Sequence, residues 1–115
     1  MTEVEYATLN NLERVVADWL LKNNIIFQTQ TPMFGGSLEV GGATVDFILS
    51  ERNIALRVMG GYWHRGLEMN ARDILGKEKL TEAGYIVIDI WEKNLTPDKV
   101  NYTMSQAIIG QEIPS

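Results

Sequence analysis

Two short apolar runs near the middle of the chain limit its fold more than anything else. Thr44 to Leu49 reads TVDFIL and Ile54 to Val58 reads IALRV, joined by the polar turn Ser50-Glu51-Arg52-Asn53. Both are rich in β-branched and large apolar residues and too short for helices, so the spacing predicts a β-hairpin inside a sheet. Each run holds one charge, Asp46 in the first and Arg57 in the second. A carboxylate or guanidinium amid such neighbours is expensive to bury unless it has a partner or a ligand. Alternation along the strands does not say whether Arg57 faces Asp46, since a bulge near Gly60-Gly61 would turn it to the other side. After the two glycines come Tyr62-Trp63-His64, and His64 is the only histidine.

Around this hairpin the pattern alternates between helix and strand. Leu9, Leu12, Val15, Val16, Trp19 and Leu20 recur at helical spacing, so Glu3 to Lys22 is expected as one amphipathic helix, with Trp19 on its apolar stripe. It should stop at Asn23-Asn24, because asparagine tolerates the left-handed conformation that ends helices. Ile25 to Phe27 begins an extended piece, and Ser37 to Val40, flanked by paired glycines, reads as a short strand pair. Leu67 to Ala83 is expected as a second helix with Ile74, Leu75 and Leu80 inward, and Gly84 as its end. Tyr85 to Trp91 (YIVIDIW) reads as a buried strand, and Asp98 to Ile109 as a last helix. The order describes an α/β domain with a mixed sheet spanning residues 1–115.

Composition excludes several classes. There is no cysteine, which removes disulfides, thiol nucleophiles and zinc–thiolate centres. No apolar run approaches the length of a membrane span. Met1 to Asn11 lacks the basic start and apolar centre of a signal peptide, so a cytoplasmic protein with no membrane partner is expected. The net charge of −5 argues against broad affinity for nucleic acid. Its distribution works the other way: residues 51–79 hold six basic and four acidic side chains, and the remainder is acidic. That local excess fits either a footprint for a phosphate backbone or a solvated helix face.

Three stretches together resemble the restriction-endonuclease-like nucleases, the PD-(D/E)XK superfamily, and within it the very-short-patch-repair (mismatch) endonucleases and related small domains. The first is Glu13 in LERVVADWLLKNNIIFQ, fourteen residues before Phe27. The second is VDF at 45–47 followed by GGYWH at 60–64, similar to a DF…G..WH signature. The third is RDILGKEKLTEAGYIVIDIWE, from Arg72 to Glu92. The likeness covers roughly Asn11 to Glu92. It implies an αβββαβ core with a central mixed sheet flanked by helices, and a Mg²⁺-dependent DNA endonuclease site.

The departures are as informative. Most of the superfamily carries Glu-x-Lys or Asp-x-Lys on the strand that here reads Ala55-Leu56-Arg57-Val58-Met59. The mismatch endonucleases also lack that acid, and the resemblance gives the Val58 carbonyl its place as a metal ligand. They have a histidine where Met59 stands and a structural zinc held by cysteines, neither of which is present here.

The candidate site follows from these residues. Asp46 is the carboxylate ligand for Mg²⁺, which needs oxygen ligands and keeps several waters; the plain alternative is a cap or a pair with Arg57. His64 is a general base with an unperturbed pKa near working pH, or a hydrogen-bonded structural residue. Asp73 orients His64, or is a solvated helix residue. Glu13 completes the site through water, or is a surface glutamate. Arg57, Arg65, Arg72 and Lys77 are the candidate contacts to DNA phosphates, with a surface role as the alternative for Lys77. A bidentate Arg57–Asp46 pair would instead replace the metal's charge. Two functions therefore stand open: a Mg²⁺-dependent DNA endonuclease, or a catalytically inactive nuclease-fold module, without metal, that binds a protein partner or self-associates.

Overall fold

The computed structural model describes the backbone of residues 1–30, 33–34, 37–38, 46–60 and 67–114, and the side chains of 1–30, 46–60 and 74–114. The chain starts with two helices rather than one. Helix α1 (Glu3–Ala7) and helix α2 (Asn11–Lys22) are separated because each has its own N-terminal capping box. Thr2 accepts from the Glu5 amide, and Asn10 accepts from the Glu13 amide at 2.8 Å. A polar side chain that satisfies amides at its own N-cap competes with continuing the preceding helix. Helix α2 then buries Val16, Ala17 and Leu20. It ends as the Asn23-Asn24 pair predicts, with Asn24 left-handed at φ 57°.

Strand β1 (Gln28–Gln30) follows, and a separate antiparallel pair is made by β2 (Met33–Phe34) and β3 (Ser37–Leu38). The expected hairpin is present as β4 (Asp46–Leu49) and β5 (Ile54–Met59), with Asn53 left-handed in the turn at φ 55°. Helix α3 (Leu67–Glu82) crosses over to β6 (Ile86–Trp91). After β6 come a single 3-10 turn (Glu92–Asn94) and helix α4 (Val100–Ala107). The four-stranded sheet has the order β1-β4-β5-β6. Its first three strands are antiparallel and β5 pairs with β6 in parallel, so the sheet is mixed.

The two faces of the sheet are unequal. Phe47, Leu49, Ile54, Leu56, Val58, Ile88 and Ile90 point to the side of α2 and α4, where they join Val16, Leu20, Met104 and Ala107 in the main core. Trp19 packs at its margin and donates to Asn101 Oδ1 at 3.1 Å. The α3 side holds a small cluster of Ile48, Ala55 and Leu80, with Tyr85 and Val87 against it. Two expectations fail here. Ile74 and Leu75 are about half exposed rather than inward, because residues 74–82 of α3 meet the sheet through Leu80. Among the described residues strand β6 is an edge strand, and it is not fully buried; Ile86 is 52% exposed. Among the described residues, no helix is long and apolar enough to cross a membrane.

Candidate functional site: a buried charged row across the sheet

Register settles the question that alternation leaves open. Asp46 lies directly opposite Arg57, and Arg57 directly opposite Asp89. The ladder is unbroken from Leu49↔Ile54 to Asp46↔Arg57, so no bulge turns Arg57 away. Directly opposed residues point to the same face, and Asp46, Arg57 and Asp89 form a row across three strands on the α3 side. Asp46 and Arg57 are almost fully buried.

Arg57 is the centre of this row. Its Nε donates to Asp89 Oδ1 at 2.8 Å, and its Nη2 lies 3.8 Å from Met59 Sδ. Helix α3 passes close above: a β-carbon on Gly76 would lie 3.6 Å from Arg57 Nη1. From that helix the half-exposed Lys77 reaches Asp89 Oδ2 at 3.7 Å. Asp89 thus holds one cation from its own sheet and one from the covering helix.

Asp46 is different. Among the described residues no hydrogen bond to its carboxyl is formed, and burial pushes it from 3.8 up to about 7. The Arg57 charge pulls it down, while Asp89 and Glu13 push it further up. Desolvation wins because Arg57 is already engaged with Asp89.

The sequence-derived candidates are distributed unevenly. Asp46, Arg57, Glu13 and Lys77 are brought into one neighbourhood, Glu13 and Asp46 near enough to feel each other's charge. Glu13 is buried, and its Oε1 accepts from the Asn10 amide at 2.9 Å, which gives it a structural task as the reciprocal half of a capping box. Val58 is buried with its side chain in the main core. Arg57, proposed as a phosphate contact, is turned inward and bonded to a carboxylate. Asp73 and Arg72 lie in α3, their side chains outside the described residues; His64 and Arg65 also lie outside them. The residue that sequence reasoning missed is Asp89. Its signal was present: a lone carboxylate inside IVIDIW is as costly to bury as the one inside VDFIL, and both point to Arg57.

The resemblance implies a divalent cation at Asp46, and the described residues do not fit one. Among them, no three His, Cys, Asp or Glu side chains stand close enough together to hold a metal ion. The position in register with Asp46 is filled by a guanidinium whose charge repels a cation and whose bond to Asp89 occupies the neighbouring acid. No family model matches the chain, and no curated protein or solved structure matches it.

Proposed function

We propose that this chain is a restriction-endonuclease-like module in which an internal arginine has taken the place of the metal, and that it serves in binding or assembly instead of phosphodiester cleavage. The observation that carries the reading is the Asp46–Arg57–Asp89 row, with Arg57 bonded to Asp89 at 2.8 Å. The order of two sheet-building strands, a crossover helix and a parallel strand supports the nuclease-like core. At the place where such a site gathers carboxylates and a lysine around a cation, the cation here is part of the protein. A buried guanidinium on a carboxylate is a strong, directional pair. Breaking it to admit Mg²⁺ would leave a buried charge uncompensated.

One observation favours the second reading, a Mg²⁺-dependent DNA endonuclease. Among the described residues Asp46 is buried without a hydrogen bond to its carboxyl and sits in the field of two more carboxylates, an environment that a cation would relieve. In that reading Asp46 and the Val58 carbonyl hold the ion, His64 is the base, and Asp46→Ala abolishes cleavage. Titration calorimetry with Mg²⁺ and Mn²⁺, paired with nicking of supercoiled and mismatched DNA, separates the two. The module reading expects no saturable metal binding and no metal-dependent nicking. Nicking that Asp46→Ala removes would overturn it.

A further inference from the structure

The outer edge of β6 is an uncommon surface. Among the described residues no strand pairs with it on that side. It forms the floor of an open groove between Lys77 of α3 and the C-terminal segment Gly110, Glu112, Ile113 and Pro114. The backbone polarity of this edge follows from one bond. The Ile86 amide donates to Asn53 O at 2.8 Å, and Ile54 is in register with Ile86. In a parallel ladder the residue whose N–H addresses its neighbour also directs its C=O there, and the next residue points both groups the other way. Ile86, Ile88 and Ile90 therefore address β5, while Val87 and Asp89 direct N–H and C=O outward. An edge that turns the donors and acceptors of Val87 and Asp89 outward is a template for another strand.

We propose that the occupant is β6 of a second copy of this chain, paired antiparallel about a two-fold axis at Ile88. Three observations select it. First, the register closes on itself: with Ile88 opposite its own copy, Val87 faces Asp89 of the other chain. Those are the residues with outward-facing backbone groups, so two hydrogen-bonded rings form on either side of the axis. Residues of like parity then share a face, which keeps both α3 helices on one side of an eight-stranded sheet.

Second, the charges suit this seam. Asp89 is already neutralised by Arg57 at 2.8 Å and Lys77 at 3.7 Å, so pairing places no bare carboxylate between the strands. The flank of α3 beside the edge carries Ile74, Lys77, Glu78, Thr81 and Glu82 around Asp89. An antiparallel copy of that flank sets Lys77 against the glutamates of its partner. Third, the apolar residue left most open on the strand, Ile86, is 52% exposed, and the arriving strand covers it.

The size is also adequate. Six paired residues span about 20 Å, and a face of that length on a molecule 28 Å deep buries on the order of 1,000 Å² in total, the lower limit of a specific interface. A dissociation constant on the order of 10 µM is expected. The inference rests on the module reading only for the choice of protein over nucleic acid as the partner.

Sedimentation velocity of the full chain over a range of concentrations tests it. The parent protein should shift reversibly from monomer to dimer. Ile86→Lys, which sets a charge on the seam without touching an inward backbone bond, should weaken association at least tenfold, with an unchanged far-UV spectrum. Glu78→Lys, which sets a cation against the partner's Lys77, should weaken it too. A dimer insensitive to Ile86→Lys overturns the proposal. So does a chain that stays monomeric to several times the expected constant, which would leave the edge to an extended segment of another protein. Metal-dependent nicking by a dimer blocked by Ile86→Lys would instead overturn the module reading and leave this one intact.

Discussion

A carboxyl group that is buried, without a hydrogen bond among the described residues, and raised to about 7 makes stability depend on pH in an unusual direction. Asp46 in the unfolded chain titrates near 4. Because its folded value is higher, the neutral form is the one the fold prefers, and ionising it inside the protein costs free energy. That cost is absent below about pH 4, grows between about 4 and 7, and is fully present above 7. The rise corresponds to roughly 4 kcal/mol, less whatever Arg57 recovers by turning toward the ionised group. Asp46→Asn keeps the shape and removes the charge. Urea unfolding should find the variant within about 1 kcal/mol of the parent at pH 4 and more stable by about 2 to 4 kcal/mol at pH 8. An equal difference at both pH values would show that Asp46 is not titrating in this environment. The sequence made this group legible as a buried acid and left open whether Arg57 was its partner. Arg57 and Asp46 are eleven residues apart on a predicted hairpin, whereas Asp89 reaches Arg57 only through a parallel crossover, which no local pattern displays. The acid with the better claim on the arginine was the one farther away in sequence.

Local chemistry accounts for where most elements begin and end, and for the one helix that was misread. The apolar spacing from Leu9 to Leu20 is continuous, so periodicity alone runs a single helix from Glu3 to Lys22. Two capping boxes, Thr2 with Glu5 and Asn10 with Glu13, cut it at residues 8–10. The second box is the costlier to lose, because Glu13 is buried and its carboxylate takes the Asn10 amide at 2.9 Å. Asn10→Ala removes the acceptor for the Glu13 amide and should cost about 1 to 2 kcal/mol; Thr2→Ala, at an exposed and short helix, should cost under about 0.5 kcal/mol. Denaturant midpoints of the two variants measure the difference, and a Thr2 variant as destabilised as the Asn10 variant would contradict this ordering. The hairpin was legible because its turn and two apolar runs are contiguous. The edge position of β6 was not, since YIVIDIW looks the same whether one side of its ladder is paired or open. For the same reason the inward assignment of Ile74 and Leu75 failed. A helix on a narrow stripe beside an open edge leaves apolar residues uncovered, and only the neighbours in space decide which.

The molecule as a whole is built on one strong face and one weak one, and the charged row lies on the weak side. The main core joins α2, α4 and three strands through more than a dozen buried apolar residues, from Leu9 to Ile113. On the α3 side the buried apolar residues among those described are Ile48, Ala55, Met59 and Leu80, of which only Leu80 belongs to α3. Burying a leucine contributes about 1.5 to 3 kcal/mol, so the hold of residues 74–82 on the sheet rests on roughly one such contact. The Lys77–Asp89 pair adds little, since Lys77 is half exposed and solvent screens it. Local stability follows apolar contact, and elements with little of it open without global unfolding. Native-state hydrogen exchange should therefore find the amides of residues 77–82 opening at a free energy about 2 kcal/mol or more below those of β5 and of α2 from Val16 to Leu20. The α3 amides should also respond weakly to denaturant, because little surface is exposed when they open. If they instead exchange only by global unfolding, α3 is held by more than its described contacts, and the charged row beneath it is sealed. If the predicted opening is seen, it uncovers Arg57 and Asp89 while the main core stays intact. The weak face then gives solvent, or the arriving strand of a second copy, access to the charged row of Asp46, Arg57 and Asp89.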